Sequence, residues 1–99
     1  MVNHIVLWNL IDGLSEEERK EAAQGIKSRL EPIKDKVQGT VSIEVVANEA
    51  DSSNRDIALI SKFESWEALH NYQVSPEHVE AGKYVRSVTC NRSCFDYEE

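Results

Sequence analysis

Residues 3–11 are NHIVLWNLI, a β-type run in which apolar side chains fall on both parities of an extended strand. One face carries a histidine and three apolar residues, His4, Val6, Trp8 and Leu10. The opposite face carries Ile5, Leu7 and Ile11. Successive side chains of a strand point to opposite faces, so a strand that is apolar on both parities needs cover on both sides. This strand therefore predicts a sheet buried from above and from below.

Residues 12–30, DGLSEEERKEAAQGIKSRL, predict a turn followed by an amphipathic helix. Ser15 is the expected N-cap, and Glu18 three residues later completes a capping box. The apolar positions recur at spacings of three and four, namely Ala22, Ala23, Ile26, Leu30 and Ile33. Pro32 is expected to end or kink this helix.

The remaining sequence predicts three more strands and two short helices. The strands are TVSIEVVAN (40–48), IALISKF (57–63) and RSVTCNRSCFDY (86–97). The helices are ESWEALHNYQ (64–73), with Trp66, Leu69 and Tyr72 on its inner side, and SPEHVEAGKYV (75–85). In the second of these, Ser75 is the expected N-cap and Pro76 the first helical residue.

The element order is β-α-β-β-α-β, which is typical of an α+β ferredoxin-like fold with a four-stranded antiparallel sheet and both helices on one face. We expect one such domain over residues 1–99. Two helices cover only one face of the sheet, so the apolar second face predicts a second copy of the chain. We therefore expect a homodimer with an isologous interface.

Composition limits the partners. Eighteen acidic residues against eleven basic ones give a net charge of −7, which argues against nucleic acid and anionic membranes as partners. The N-terminal apolar run lacks a basic leader, so we expect neither a signal peptide nor a membrane span.

Cys90 and Cys94 are predicted to share a strand face with Val88 and Arg92, and to lie too far apart for a disulfide. Reduced thiols fit a cytoplasmic protein, and no metal or cofactor is expected.

Three segments carry a family resemblance: HIVLWNL (4–10), SKFESWEALHNYQVSPEHV (61–79) and CFDYEE (94–99). In this order and spacing the chain resembles the stress-responsive A/B barrel domain family, the dimeric α/β-barrel proteins. The resemblance implies a ferredoxin-like fold that dimerises into a barrel. The resemblance and the strand and helix patterns therefore predict the same architecture independently.

The resemblance also implies a site. A plant polyketide cyclase of this kind, which makes olivetolic acid, lines a pocket with residues that match Tyr72, His78 and His4. Ser75 stands where the family usually has another histidine, so the function of that histidine does not carry over. The stretch EAAQGIK (21–27) stands where the cyclase has aromatic residues, and so gives no support for a polyketide-sized aromatic substrate.

The two central candidates each have a chemical and a structural interpretation. His78 falls at the third position of its helix, where the positive end of the macrodipole disfavours imidazolium, so a neutral general base is possible. The alternative is a histidine that packs at the elbow or binds a backbone carbonyl. Tyr72 is a candidate donor to a substrate carbonyl, or else a core tyrosine. Only the helix break at Ser75 could turn both side chains toward one cavity.

The expected pocket lining, beyond these two residues, consists of His4, Val6, Trp8, Ile26, Leu59 and Arg92. Arg92 either anchors an acidic ligand or pairs with a nearby carboxylate, and the ion pair is the commoner arrangement. The parity of His4 does not decide between the pocket and the dimer interior, and the resemblance favours the pocket. The structural alternative is a core histidine with a satisfied hydrogen bond.

Two functional hypotheses follow. The first is a lyase- or cyclase-like enzyme that acts by general base catalysis on a small carbonyl compound in a cavity of each subunit. The second is a non-catalytic stress-related or ligand-binding dimer that uses the same cavity to hold a small apolar carbonyl ligand.

Overall fold

The chain forms a four-stranded antiparallel sheet with its helices on one face, in a computed structural model that describes residues 1–99. The elements in order are β1 (Val2–Leu10), α1 (Glu16–Leu30), a 3-10 helix (Glu31–Asp35), β2 (Thr40–Ala47), β3 (Ile57–Phe63), α2 (Trp66–Val74), α3 (Pro76–Val88) and β4 (Thr89–Glu98). The strand order is β2-β3-β1-β4, and every neighbouring pair is antiparallel. The predicted ferredoxin-like plan is confirmed.

Helix α1 begins and ends where the sequence predicts. Ser15 accepts a hydrogen bond from the Glu18 amide, and the Glu18 carboxylate accepts one from the Ser15 amide, which completes the capping box. The helix gives way to the 3-10 helix at Glu31, next to Pro32. Its apolar stripe of Ala22, Ile26 and Leu30 is buried against the sheet.

Strand β1 lies in the middle of the sheet and has two different environments. The side chains that face the helices are buried, namely Val2, His4, Val6, Trp8 and Leu10. On the other face Ile5 and Leu7 are only half-buried. Nearby apolar side chains on this face are more open to solvent: Ile60 is 42% exposed and Phe95 65% exposed. The helices thus leave one apolar face of the sheet uncovered.

Helix α3 is longer than the sequence prediction. It runs to Val88, so the predicted strand over residues 86–97 is wrong at its start and begins instead at Thr89. The buried residues Ala81 and Val85 continue as a stripe of spacing three and four to half-buried Val88, which keeps this stretch helical. The three added residues place Arg86 on the helix instead of on the strand.

Two further predictions are corrected. Trp66 is 48% exposed and does not lie on the inner side of α2, because it is the first helical residue and its indole N–H donates to Glu98. Cys90 and Cys94 do not share a face. A bulge in β4 at Asn91, where φ is 54°, sets Cys90 opposite Asn9 but Cys94 opposite Val6, and these two residues of β1 point to opposite faces of the sheet.

No helix in the fold has the length and apolar character to span a bilayer.

Candidate functional site

A cavity of about 290 Å³ lies between the sheet and α3. Its lining is His4, Val6, Trp8, Leu30, Leu59, His78, Gly82, Val85, Arg86 and Arg92. Strand alternation presents His4, Val6 and Trp8 on the helix-facing side of β1. This volume is just below the range of about 300–1,000 Å³ that small-molecule sites occupy. The cavity combines apolar walls with a few polar groups, as ligand sites do.

His78 is placed and held by the helix break. Ser75 has extended backbone angles, φ −64° and ψ 146°, and its hydroxyl accepts a hydrogen bond from the His78 amide at 3.2 Å. The same hydroxyl donates to the Tyr72 carbonyl at 2.7 Å. Ser75 therefore ties the last turn of α2 to the first turn of α3 and sets where the imidazole of His78 enters the cavity.

A backbone hydrogen bond fixes the tautomer of the His78 imidazole. Its Nδ1 lies 3.1 Å from the Gln73 carbonyl, an acceptor, so Nδ1 carries the proton and Nε2 is left with a free lone pair. Burial is the main cause that lowers the pKa of His78 below its ordinary value of 6.5, opposed by the hydrogen bond to Gln73. The charges of His4, Arg92 and Arg86 lower it further. The expected backbone hydrogen bond is present, and burial, instead of the helix macrodipole, is the main cause of the lowered pKa.

Tyr72 packs against His78 but does not line the cavity. The two ring centroids are 4.6 Å apart, and the Tyr72 ring also contacts Phe63 at 4.9 Å. Its side chain is fully buried, and its hydroxyl has no hydrogen-bond partner. Burial raises the pKa of Tyr72 above its usual value, which keeps the phenol protonated as a donor. A buried donor without a partner is a cost to the fold of about 1–3 kcal/mol.

His4 forms a pair with Asp96 across β1 and β4. Its Nδ1 is hydrogen-bonded to the Asp96 carboxylate, and the His4 side chain is almost completely buried. Residue 96 lies opposite residue 4 in the strand register, which explains the contact. The expected alternative of a satisfied histidine is present, and the same ring lines the cavity.

Cys94 completes a cluster with this pair. The His4 Nδ1, the Cys94 Sγ and the Asp96 carboxylate lie within 4.8 Å of one another, and these are ligand types that zinc accepts. The hydrogen bond between His4 and Asp96 already accounts for their closeness. Burial, and then the Asp96 charge, raise the pKa of Cys94, so the thiol stays protonated. Sequence spacing could not reveal this cluster, because His4 lies 90 residues from Cys94 and 92 from Asp96.

Two arginines stand at the cavity. His78, Gly82 and Arg86 are spaced by four residues and so lie along one face of α3. Helical side chains lean toward the N-terminus of their helix, so the Arg86 side chain lies over Gly82. A Cβ added at Gly82 would lie 3.0 Å from a terminal guanidinium nitrogen of Arg86. Arg92 comes from β4. The ion pair that the sequence favours for Arg92 is absent, because β4 turns this side chain to the cavity and no carboxylate lies within 4.0 Å of it.

The structure brings together most, but not all, of the residues expected at the site. Those that line one cavity are His4, Val6, Trp8, Leu59, His78 and Arg92. Ile26 is wholly buried in the core and does not line it. The sequence interpretation missed Leu30, Gly82, Val85 and Arg86. The available signal was the four-residue spacing of His78, Gly82 and Arg86. The predicted start of the last strand at Arg86 concealed it, because that start places Arg86 outside the helix.

Similar solved structures agree with this architecture. A dimeric protein of unknown function with a ferredoxin-like fold from Bacteroides fragilis is 35% identical, with a TM-score of 0.91 over 99% of this chain and 95% of that one. Dimeric ferredoxin-like proteins of unknown function from Thermobifida fusca and Jannaschia sp. have TM-scores of 0.82 and 0.81 at 15% and 18% identity. The first covers 97% of this chain and 88% of its own, and the second 99% and 98%.

No curated protein sequence matches the chain. The stress responsive A/B barrel domain family matches residues 2–99, which is nearly the whole sequence. The match includes every strand and helix of the fold and all the residues that line the cavity. The chain therefore belongs to the stress responsive A/B barrel domain family.

Proposed function

We propose that the protein is a small-molecule enzyme of the lyase or cyclase type, in which His78 removes a proton from the carbon next to a carbonyl group. The observation that carries the proposal is the pairing of two groups at the helix break. His78 has a free Nε2 lone pair, and Tyr72 against it has a protonated hydroxyl without a partner. The two rings are in contact, so a base and an unused hydrogen-bond donor stand side by side, a pairing that supports enolisation.

The reaction has a definite role for each group. Nε2 of His78 takes the proton, and the electron pair of the broken C–H bond moves to form an enolate. Negative charge then develops on the carbonyl oxygen. The Tyr72 hydroxyl lies behind the cavity wall, so ligand binding must shift this wall before the hydroxyl can donate a hydrogen bond to that oxygen. The enolate carbon attacks a second carbonyl in a cyclisation, or takes the proton back from the His78 imidazolium. His4, fixed by Asp96, is a further polar group of the cavity wall.

Hydrogen exchange on a simple ketone tests the proposal without knowledge of the natural substrate. The protein is incubated in D₂O with 5-oxohexanoate or its neutral amide, and loss of the ¹H signals next to the ketone is followed by NMR. The wild type is expected to accelerate exchange, and His78→Ala to abolish the acceleration. His70→Ala is the matched control, because His70 is exposed on α2 and does not line the cavity. Equal acceleration by His78→Ala and the wild type would refute the role of His78.

A non-catalytic ligand-binding protein is the second candidate, and one observation favours it. Tyr72 is fully buried and lies behind the cavity wall, so its hydroxyl does not face the cavity. Under this alternative the cavity only holds an apolar carbonyl compound. Unaltered ligand affinity in His78→Ala, with no exchange in either protein, would support it.

We also propose that the protein is a homodimer closed through the uncovered sheet face, and that it acts in the cytoplasm. The apolar surface around Ile60 and Phe95 supports the dimer, as does the dimeric state named for the similar structures. Both cysteines are free thiols, which supports a reducing compartment. Light scattering is expected to give twice the 11.3 kDa of one chain, whereas a mass of one chain at micromolar concentration would refute the dimer.

A further inference from the structure

The two arginines at the cavity have no carboxylate partner. Arg86 and Arg92 belong to different elements, α3 and β4, yet both line the same space. Neither has a carboxylate within 4.0 Å, although the chain carries 18 acidic residues. Both side chains are solvent-exposed, and a single unpaired cation is ordinary in that position. Two of them at the wall of one apolar cavity, in a strongly acidic protein, repel each other and are stabilised by an anion between them.

The rest of the wall limits what that anion can be. The body of the cavity is formed by apolar side chains, namely Val6, Trp8, Leu30, Leu59 and Val85. A ligand that fills it needs an apolar chain as well as a charged end. A guanidinium group matches a carboxylate with two parallel hydrogen bonds, which are stronger than hydrogen bonds between neutral groups.

We propose that the cavity binds a small apolar carboxylic acid, whose carboxylate lies between Arg86 and Arg92 and whose chain lies along Trp8 and Leu59. Combined with the proposed function, on which this second step rests, the substrate is a keto acid. Its ketone lies at His78 while its carboxylate is held by the arginines. The arginines then select the substrate and fix its orientation, and they do not take part in proton transfer.

A binding measurement on a matched ligand pair tests the carboxylate requirement. Trp66→Phe leaves Trp8, in the cavity wall, as the remaining tryptophan, and its fluorescence reports binding. The ligands are 5-oxohexanoate and 5-oxohexanamide, which have nearly the same shape and differ in charge. At low ionic strength the acid is expected to bind about tenfold or more tightly than the amide. Equal affinities of the wild-type cavity for the two ligands would overturn the proposal, whatever the variants do.

Charge-removing variants then locate the carboxylate. Arg86→Gln and Arg92→Gln are each expected to lose most of the preference for the acid while they keep the weaker affinity for the amide. Lys83→Gln is the matched control: Lys83 lies on α3, pairs with Glu80 and does not line this cavity, so the preference should remain. Loss of preference in the control as well, or lower dimer stability in the arginine variants with the preference intact, would contradict a carboxylate site between the arginines.

The same assay separates this inference from the proposed function. His78→Gln should bind the acid with the wild-type preference, because the arginines are intact. A tenfold preference with exchange unaffected by His78 substitution would leave the carboxylate site standing and remove the general base. Tighter binding of hexyl phosphate than of 5-oxohexanoate would overturn the carboxylate assignment in favour of a phosphate ester.

Discussion

Replacement of Tyr72 by phenylalanine should make the apo protein more stable and less active. Most buried tyrosine hydroxyls have a hydrogen-bond partner, and their removal costs about 1 kcal/mol. The Tyr72 hydroxyl is buried without one. Its removal therefore relieves an unpaired donor and is expected to stabilise the fold by about 1–3 kcal/mol. The ring contacts with Phe63 and His78, at 4.9 Å and 4.6 Å, stay the same.

The assay is thermal unfolding at a fixed protein concentration, since the melting temperature of a dimer depends on concentration. In a domain of this size 1 kcal/mol corresponds to about 4–8 °C, so Tyr72→Phe should melt at least about 4 °C above the wild type. In the same variant the exchange of ketone protons should slow, because the enolate oxygen loses its donor. A lower melting temperature would show that the hydroxyl is satisfied, and unchanged exchange would show that it is not used.

Four other perturbations have defined outcomes. Because the pKa of His78 is lowered in the folded protein, its contribution to the free energy of unfolding should be fully present above about pH 6.5 and be lost as the pH falls from there through the lower pKa of the folded protein. In urea titrations His78→Gln should remove this dependence. Arg92→Gln should raise the pKa of His78 in an NMR titration, and an unchanged value would contradict the coupling. Ser75→Ala and Ser65→Ala each remove an N-cap and should cost about 1 kcal/mol, but only Ser75→Ala should slow exchange, since only Ser75 holds His78. Ile60→Lys should give a monomer by light scattering, and a persistent dimer would place the interface elsewhere.

Much of the fold follows from local sequence rules. The strand at residues 3–11, apolar on both parities, predicts a strand that needs cover on both faces, and the Ser15–Glu18 capping box fixes the start of α1. The Ser75-Pro76 pair fixes the break between α2 and α3. These features depend on neighbours along the chain, so periodicity and cap chemistry are enough to find them.

The site was harder to predict because it depends on contacts between distant residues. His4 meets Asp96 only through the register of β1 with β4, and the bulge at Asn91 decides which cysteine faces the helices. Residues 86–97 contain β-branched and aromatic side chains, which favour a strand, so the sequence places Arg86 on a strand. Burial against the sheet kept the last turn of α3 helical instead. No short stretch of sequence determines the register of two strands, the position of a bulge or a helix end that depends on packing.

The relation between exchange rate and the charge of His78 tests the central claim most directly. The rate at which the wild type exchanges the ketone protons of 5-oxohexanamide is measured against pH, and the pKa of His78 is measured by NMR in the same buffer. A general base predicts a rate that is constant at higher pH and falls below a single inflection, which coincides with the His78 pKa at a value under 6.5. An inflection at a pH that differs from the pKa of His78, or a rate independent of pH, would contradict general base catalysis by His78.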